Sequence, residues 1–301
     1  MPRIAFLFPG QGAQSLGMGR AVCESLPVAR KLFDDAADIL GYDLLDVCTK
    51  GPAERLNATD VSQPALYVAS LAALESLKKS DPAAVEACVG TAGLSLGEYT
   101  ALTFAGAIDF ADGLRVVQQR GRAMQSASEK TAGGMMSLLG LELHQVESIC
   151  DEAAQAGTIQ IANLLCPGNI AVSGQAEALT TAERLVNEKG GRFIRLAVAG
   201  AFHTDLMKPA DEQLAVALAQ VPLRNPRVPV WSNVDARPHT EPGEIRQLLV
   251  RQVLSPVLWE QTVRNLMADG FDKFYEIGPG RVLAGLLKRV QRQVDITNVA
   301  A

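Results

Sequence analysis

The chain has 301 residues, a length that predicts one large domain, alone or with a smaller domain attached. It is 48% hydrophobic and 20% charged, which is enough apolar sequence to bury a core and excludes a disordered or fibrous protein. The net charge of −5 opposes binding of a phosphate backbone by the protein as a whole, so we expect no nucleic-acid partner.

The cysteines and the termini predict the cellular environment. The five cysteines are widely spaced, form no CxxC pair and have only three histidines beside them, so we expect reduced thiols and no metal site. The apolar run at the N-terminus is only about five residues long, too short for a signal peptide. The uncharged stretch 156–176 contains Asn163, Pro167 and Gly168, which a bilayer would not accept. These features predict a soluble, cytoplasmic protein that makes no membrane contact.

The first third of the chain alternates strands, glycine turns and helices. Residues 4–8 form a continuous apolar run closed by Pro9 and Gly10, typical of a strand buried on both faces. Helices are predicted around 21–41 and 63–79, followed by a strand at 87–92 and a helix at 96–105. This alternation indicates an α/β fold with a parallel sheet.

From about residue 133 the order of elements changes. The pattern predicts, in chain order, a strand, a helix, two strands, a helix and a strand: 135–139, 142–156, 158–163, 169–174, 176–189 and 192–198. The order β-α-β-β-α-β is that of a ferredoxin-like unit. We therefore predict a small ferredoxin-like domain at 131–198, inserted into a large α/β-hydrolase-like domain made of 1–130 and 199–301.

After the insertion the α/β pattern resumes. Helices are predicted at 206–220, 242–254 and 256–268, with a last helix from about 281, and strands at 228–231 and 273–277. No repeat, low-complexity tract or long linker interrupts the chain.

The strongest chemical signal is a G-x-S-x-G motif from Gly93 to Gly97, with Ser95 at its centre. It lies between a predicted strand and a predicted helix, where a sharp turn exposes the serine hydroxyl at the helix N-terminus. Glycines are required two residues to either side because a side chain there would collide with neighbouring backbone. The motif predicts that Ser95 is a nucleophile.

A serine nucleophile needs a base, and the base is usually histidine. His144 lies at the polar start of a predicted helix, and His239 lies in a segment that predicts a solvated loop. His203 lies where the chain leaves the predicted insertion and returns to the large domain, a junction that can face a cleft between domains. His203 is therefore the candidate base, although a buried structural histidine is the alternative.

Two backbone N–H groups are needed to stabilise an oxyanion. The residue after the nucleophile, Leu96, supplies one, and the loop that ends the first strand is the natural source of the second. This loop, residues 9–14, lacks the third glycine of a dinucleotide site and the Gly-Lys-Ser/Thr of a P-loop. A purely structural glycine turn is equally compatible with it.

Arg120 is predicted to point inward. It lies four residues from Val116, three from Val117 and four from Met124, on the apolar face of a helix over 114–124, whereas Arg115 and Arg122 lie off that face. A buried guanidinium requires an acidic partner, and its planar fork suits a carboxylate. The partner is either an Asp or Glu of the protein or the carboxylate of a substrate.

Several motifs in order along the chain resemble one family. They are Phe8-Pro9-Gly10-Gln11-Gly12, the Ser95 motif extended to Glu98-Tyr99, Arg120-Gly121-x-x-Met124-Gln125, Gly200-Ala201-Phe202-His203, Gln252-x-x-Ser255-Pro256-Val257-x-Trp259 and Tyr275-Glu276-Ile277-Gly278-Pro279-Gly280. From residue 4 to about 290, the chain resembles the malonyl-CoA:acyl carrier protein transacylases of fatty acid biosynthesis.

The resemblance implies that Ser95, activated by His203, takes malonyl from malonyl-CoA and yields it to the phosphopantetheine thiol of acyl carrier protein. It assigns Arg120 to the malonyl carboxylate, the N–H groups of Gln11 and Leu96 to the oxyanion hole, and the backbone carbonyl of Gln252 to His203. Asn163 and Phe202 match supporting positions, Phe202 in the form associated with malonyl. No cofactor or metal is implied besides the malonyl-CoA substrate, and a monomer is expected.

The sequence departs from the family at three positions. Leu94 replaces the usual histidine before the nucleophile, and Leu165 and Asn169 replace the usual asparagine and glutamine of a motif in the insertion. We expect these changes to tune activity and acyl specificity.

Related functions remain open at this stage. A malonyltransferase of polyketide synthesis or of a malonate decarboxylase would share the chemistry. A serine esterase or thioesterase would share the Ser95 motif but expects its histidine near the C-terminus. A non-catalytic docking protein would not need both Ser95 and His203. For an acidic carrier partner, two basic groups are candidate docking surfaces: Lys189, Arg192 and Arg195, or Lys288, Arg289 and Arg292.

Overall fold

The computed structural model describes residues 2–301. Ten strands are present: β1 Ile4–Phe8, β2 Cys88–Gly93, β3 Gly133–Leu139, β4 Ile159–Cys166, β5 Asn169–Gln175, β6 Arg192–Arg195, β7 Val230–Trp231, β8 Pro238–His239, β9 Lys273–Ile277 and β10 Asp295–Val299. They form a six-stranded sheet in the order β10-β9-β1-β2-β7-β8 and a four-stranded sheet in the order β4-β5-β3-β6.

Helices surround both sheets. They are α1 Arg20–Ser25, α2 Pro27–Leu40, α3 Leu44–Lys50, α4 Ala53–Asn57, α5 Thr59–Ser80, α6 Pro82–Glu86, α7 Gly97–Phe104, α8 Phe110–Lys130, α9 Leu143–Ala153, α10 Ala176–Glu188, α11 Ala210–Ala219, α12 Pro242–Gln252, α13 Trp259–Ala268 and α14 Val282–Val290. Short 3₁₀ turns occur at Ala154–Ala156 and Asp205–Met207. Within residues 2–301, no helix combines the length and apolar character needed to cross a membrane.

The six-stranded sheet is parallel except at one edge. The pairs β10–β9, β9–β1, β1–β2 and β2–β7 are parallel, and only β8 runs antiparallel to its neighbour. All five residues of β1 are buried, as expected for a central strand covered by helices on both faces. Because the parallel strands share one direction, the loops after β1, β2, β7 and β9 meet at one edge, which is where ligands bind in such sheets.

The four-stranded sheet is antiparallel and belongs to a β3-α9-β4-β5-α10-β6 unit. β3 lies between β5 and β6, and β4 pairs with β5 at the outer edge. Apolar residues of this sheet and of its two helices form a core of their own. This arrangement confirms the predicted ferredoxin-like fold beside a parallel-sheet α/β unit. The domain boundaries 1–130, 131–198 and 199–301 stay a prediction.

The two units are joined close to the carboxyl edge of the large sheet. Asn163 of β4 forms a parallel bridge with Val257, which lies just after α12. The N–H of Leu164 donates to Val257 O at 2.9 Å, and the N–H of Val257 donates to Ala162 O at 2.8 Å. The four-stranded unit is thereby held against the segment that follows Gln252.

Several predicted elements differ from the structure. The helix predicted over 21–41 is two helices, because Leu26 is extended and Pro27 begins a new helix. The helix predicted from 256 begins at Trp259, and the strand predicted to reach 198 ends at Arg195. The edge strands β8 and β10 were not predicted, since both are short and only partly apolar.

Candidate active site

Ser95 occupies a tight turn between β2 and α7. Its backbone is left-handed, with a φ of 49°, a conformation that a side chain adopts only when its surroundings enforce it. A Cβ at Gly93 would lie 1.9 Å from the carbonyl carbon of Gly97, and a Cβ at Gly97 would lie 2.1 Å from Phe8 O. Both glycines of the motif are therefore required by close backbone contacts, as the sequence predicted.

His203 lies beside Ser95, although the two residues are 108 positions apart in the chain. Ser95 Oγ and His203 Nε2 are 2.9 Å apart, and His203 Nδ1 is 2.8 Å from the backbone oxygen of Gln252. With Nδ1 donating its proton to that carbonyl, Nε2 is free to accept from Ser95. The predicted pair thus meets in space, and a backbone oxygen orients the imidazole.

Arg120 reaches the same point from α8. Its side chain is 1% exposed, and its Nη2 donates to Ser95 Oγ and to Gln252 Oε1, both at 3.0 Å. Its Nη1 donates to Gln63 Oε1 at 2.7 Å, its guanidinium lies 5.4 Å from the centre of the Tyr99 ring, and its Nε has no partner. No Asp or Glu among residues 2–301 forms an ion pair with it, so of the two predicted partners, a protein carboxylate is absent.

Asn233 and Glu98 complete a hydrogen-bond network behind Ser95. The N–H of Ser95 donates to Asn233 Oδ1 at 2.6 Å, and Asn233 Nδ2 donates to Gly93 O at 2.8 Å. Glu98 accepts from the N–H of Asn233 and from Nε2 of Gln252. Sequence reasoning assigned no role to Asn233, Glu98 or Gln63. Two signals were available: Glu98 belongs to the extended Ser95 motif, and Asn233 comes just after a predicted strand, where polar residues reach the carboxyl edge of the sheet.

The electrostatics favour a neutral base beside a permanent cation. Burial, with the nearby charge of Arg120, lowers the pKa of His203 to about 4, so the imidazole is neutral at physiological pH. Burial also lowers the pKa of Arg120 from its usual value, yet an arginine remains protonated. The site therefore combines a ready proton acceptor with an unpaired positive charge.

The predicted oxyanion donors, Gln11 and Leu96, both line the cavity in front of Ser95. Leu96 precedes the first residue of α7, where helix N–H groups have no intrahelical acceptor, and its own N–H bonds to no atom of the described chain. Gln11 follows β1, and its side-chain Nε2 is buried without a partner. Both residues therefore lie at the cavity, and their role as oxyanion donors stays a prediction.

The cavity has a volume of about 280 Å³ and is lined by both units. Among residues 2–301, the only acidic or basic side chains that line it are Arg120 and His203, both from outside the four-stranded unit. We call Met135, Leu165, Leu196 and Val198 the apolar wall; these four residues come from the 131–198 segment. One unit thus supplies the reactive groups and the other mainly supplies apolar surface.

The supporting residues and the three departures also line this cavity. Phe202 and Asn163 are 5% and 7% exposed, and the Asn163 side chain makes no hydrogen bond within residues 2–301. Leu94 and Leu165 pack in the same apolar cluster, whereas Asn169 accepts a hydrogen bond from Ser137 Oγ at 2.5 Å. Two departures therefore make the surroundings of Ser95 more apolar.

The other histidines lie elsewhere. His144 is exposed on α9, as predicted, but the prediction of a solvated loop for His239 was wrong. His239 is 7% exposed in β8 and lies 3.1 Å from Asp235 and 3.0 Å from Glu244. Burial opposes its protonation, but hydrogen bonds to Glu244 and Asp235 raise its pKa overall. The segment has the composition of a loop, but it pairs with β7 as the edge strand β8, and His239 is thereby buried.

In the part of the chain that the structure describes, the cysteines form no disulfide. All five cysteines are free thiols; Cys23 is partly buried and the other four are buried. Within residues 2–301, no three His, Cys, Asp or Glu side chains are grouped so that they could hold a metal ion.

Comparison with known proteins connects this site to a family. A family profile described as the acyl transferase domain matches residues 5–301. The chain is 43% identical over 302 residues to the malonyl CoA-acyl carrier protein transacylase of Bacillus subtilis, a match that covers 100% of this chain and 94% of that protein.

Solved structures agree. The malonyl-CoA:acyl carrier protein transacylase of Xanthomonas oryzae superposes with a TM-score of 0.95 at 40% identity, over 100% of this chain and 95% of that one. A malonyl-transacylase solved in complex with a type II polyketide synthase acyl-carrier protein superposes with a TM-score of 0.93 at 39% identity, over 99% and 96% of the two chains.

The fold and the family profile define an acyl transferase. Because full-length relatives at this level of identity share one description, the chain belongs to the malonyl-CoA:acyl carrier protein transacylase family.

Proposed function

We propose that this protein transfers a malonyl group from malonyl-CoA to the phosphopantetheine thiol of an acyl carrier protein through a malonyl ester on Ser95. The observation that carries the proposal is the joint placement of three groups. Ser95 Oγ lies 2.9 Å from the base His203 and 3.0 Å from Arg120, a buried cation without a counter-ion in residues 2–301. Membership of the transacylase family supports the same reaction.

The first half-reaction forms the ester. His203 Nε2 takes the proton of Ser95 as Oγ attacks the thioester carbonyl, and the resulting oxyanion accepts from the N–H groups of Gln11 and Leu96. The carbon–sulfur bond then breaks, and the protonated His203 gives its proton to the departing CoA thiolate. The second half-reaction reverses these steps with the carrier thiol as the nucleophile.

Arg120 supplies the counter-ion for the free malonyl carboxylate. Its unpartnered Nε and the Nη2 that contacts Ser95 Oγ lie on one edge of the guanidinium, the edge that can bind a carboxylate through two parallel bonds. Ester formation makes Oγ a weaker hydrogen-bond acceptor, so the Nη2 hydrogen that Ser95 accepted becomes available to the carboxylate, while the other stays on Gln252 Oε1. A neutral acyl chain gains nothing from this cation, which favours malonyl over acetyl.

The imidazole needs no acidic third residue. The carbonyl oxygen of Gln252, at 2.8 Å, fixes the tautomer in which Nε2 accepts, and its dipole stabilises the imidazolium that forms during attack. The low pKa of His203 keeps the resting histidine neutral.

Intact mass spectrometry after brief incubation with malonyl-CoA tests the proposal directly. We expect a malonyl adduct on the wild-type protein, little adduct from acetyl-CoA, and none from either in Ser95→Ala. Ser173→Ala is the matched control, because Ser173 is a buried serine that does not line the cavity, whereas the partly buried Ser95 does. Equal acetyl and malonyl adducts would refute selection by Arg120, and an adduct that persists in Ser95→Ala would refute the nucleophile.

The proposed pathway is fatty acid biosynthesis. The same chemistry would serve polyketide synthesis or a malonate decarboxylase, and the choice depends on the carrier. A serine esterase or thioesterase fits the site less well, because the Arg120 cation favours a second carboxylate over a neutral acyl chain. Loading assays with purified carriers of each class separate these functions.

An acyl carrier protein also needs a docking surface near the cavity. Of the two basic groups, Lys288, Arg289 and Arg292 are exposed and form no ion pair within residues 2–301. The helix that carries Lys288 and Arg289, α14, also lines the cavity through Val282 and Leu286, and Arg289 follows these at helical spacing. In the other group, Arg195 is paired with Glu183. We therefore propose that an acidic carrier docks along α14.

Charge reversal of each group tests this surface. Changing Lys288, Arg289 and Arg292 to Glu should raise the KM for the carrier while loading of Ser95 from malonyl-CoA stays unchanged. The same change at Lys189, Arg192 and Arg195 is the control and should leave both unchanged. An unaltered carrier KM in the α14 variant would refute this docking surface.

The remaining expectations are a monomeric protein, a cytoplasmic location and no cofactor besides the CoA thioester. Every group of the proposed site comes from one chain, which supports a monomer. Buried free thiols are typical of reducing compartments and support the location. Light scattering and cell fractionation test these two points.

A further inference from the structure

Glu98 is a buried carboxylate that the reaction described above does not use. It lies in the first turn of α7, three residues after Ser95, and is 3% exposed. No Lys, Arg or His of residues 2–301 forms an ion pair with it. Its Oε2 accepts from the N–H of Asn233 at 3.0 Å and from Nε2 of Gln252 at 2.7 Å.

Gln252, one of the two partners of Glu98, contacts all three residues of the proposed mechanism, Ser95, His203 and Arg120. Its backbone oxygen accepts from His203, its Oε1 accepts from Arg120, and its Nε2 donates to Ser95 O at 3.1 Å. Glu98 Oε2 is the acceptor of both bonds, and it remains an acceptor when a proton is carried on Oε1, so it requires the nitrogen of the Gln252 amide to face it. The amide oxygen is then directed at Arg120; the opposite orientation would place N–H groups against the guanidinium.

Asn233, the other partner of Glu98, hydrogen-bonds to the backbone on both sides of the turn that carries the nucleophile. Its Oδ1 accepts from the N–H of Ser95, and its Nδ2 donates to Gly93 O. These two bonds brace the left-handed turn at Ser95. Glu98 fixes the Asn233 backbone from which this side chain extends.

We propose that Glu98 is a positioning residue: by fixing the Gln252 amide and the Asn233 backbone, it holds Ser95, His203 and Arg120 in one geometry. The inference rests on the proposed function and deepens it. Glu98 touches neither the substrate nor the reacting atoms, and it acts through Gln252 and Asn233.

The cost of burying this carboxylate argues against a role in stability alone. Burial raises the pKa of Glu98 to about 7, which means that the fold disfavours its ionised form. A glutamine of the same shape would avoid that cost. Groups that lower stability in this way are characteristic of functional sites.

The test measures malonyl loading of Ser95 in single turnovers for Glu98→Gln, Glu98→Asp and Glu98→Leu. The glutamine oxygen can accept the same two bonds, so we expect its kcat to stay within about tenfold of wild type. Aspartate keeps the charge but is one methylene shorter, so it should lose more than glutamine. Leucine removes the acceptor and should lower kcat by about 100-fold, with a smaller change in the KM for malonyl-CoA.

A double-mutant cycle shows whether Glu98 acts through Gln252. In a Gln252→Ala background, Glu98→Leu should cost less than about tenfold instead of about 100-fold, because only its bond to the Asn233 N–H is then left to lose. Glu276→Gln is the matched control: Glu276 is also buried, but it accepts from the N–H groups of Leu283 and Ala284 and contacts neither Gln252 nor Asn233. We expect this control to lower Tm and to retain the kcat of loading.

Three results would overturn the inference. They are a folded Glu98→Leu variant that loads at more than half the wild-type rate, additive effects in the cycle, and an aspartate variant more active than the glutamine variant. The last comparison decides the matter if the leucine variant does not fold. A wild-type protein that forms no malonyl-Ser95 adduct refutes the proposed function itself, whereas a normal wild-type adduct with an unaffected leucine variant refutes only the role of Glu98.

Discussion

The two units that line the cavity differ in what they contribute. Ser95, Arg120 and His203 come from the part of the chain that surrounds the six-stranded sheet and are fixed by a dense set of hydrogen bonds. The four-stranded unit contributes the apolar wall and a few neutral polar groups. The difference indicates that the chemistry and the selection of acyl groups by size are largely separable, since no residue of the apolar wall hydrogen-bonds to Ser95, Arg120 or His203.

The sharpest test of this separation removes the base. His203→Ala should reduce kcat for malonyl loading by about 10⁴-fold, because neither Arg120 nor the oxyanion donors can accept the Ser95 proton. His144→Ala, on the exposed face of α9, is the control and should be indistinguishable from wild type. Stopped-flow release of CoA measures both. Residual activity above one hundredth of wild type would mean that another group accepts the proton.

Arg120→Ala should come next in size. We expect kcat/KM for malonyl-CoA to fall by about 100-fold or more, since a charge-assisted pair is lost, whereas acetyl-CoA should change much less. Arg122→Ala, an exposed arginine on the same helix, serves as the matched control. A parallel fall for both substrates would show that Arg120 acts through Ser95 and selects no carboxylate.

A change in the apolar wall should have a smaller effect of a different kind. Leu165→Ala enlarges the cavity beside Leu94, so we expect kcat/KM for malonyl-CoA to fall by less than about tenfold while methylmalonyl-CoA becomes a better substrate relative to malonyl-CoA. Competition between the two thioesters measures the ratio. Leu143→Ala, exposed on α9 and outside the cavity, should leave that ratio unchanged. A fall of kcat as large as that of His203→Ala would break the separation between the two units.

The smallest effect concerns pH. Neutral His203 is the active form, and its pKa is lowered to about 4, so activity is lost only as the pH falls through that value. Between pH 7.5 and 5.5, kcat/KM for loading should change by less than about twofold, whereas a histidine with the usual pKa of about 6.5 would lose about tenfold. Glu98, with a pKa of about 7, can take up a proton on Oε1 in this range and still accept both of its bonds on Oε2. A tenfold loss by pH 5.5 would show that the cavity is wetter around His203 than its burial indicates.

Local patterns predicted the elements that carry the site. The apolar run 4–8, the glycine-flanked Ser95 and the helical phase of Arg120 each depend on nearby residues, and the structure places all of them as predicted. The ferredoxin-like order of elements was also readable, because alternation and helical periodicity are local properties. The roles predicted for Gln11 and Gln252 came from the family resemblance, because hydrophobic periodicity does not distinguish these two glutamines from any others.

Contacts between distant segments could not be predicted from the sequence. The burial of His239 against Asp235 and Glu244 contradicted a composition typical of a loop. The strand β10 was not predicted because its own residues are only partly apolar; it is a strand because it pairs with β9. Asn233 and Glu98 are 135 positions apart, and the sequence around either residue does not predict the hydrogen bond between them.

The amino-acid sequence is enough to predict the fold class, the nucleophile motif, the inward face of α8 and the three histidines from which the base must come. Three features are visible only in the folded chain: which histidine meets Ser95, the absence of a carboxylate partner for Arg120 within residues 2–301, and the bracing of the site by Glu98 and Asn233. The two sets of features depend on interactions of different range. Backbone sterics and helical phase act over a few residues, whereas burial and hydrogen bonding at this sheet edge join segments from five distant parts of the chain.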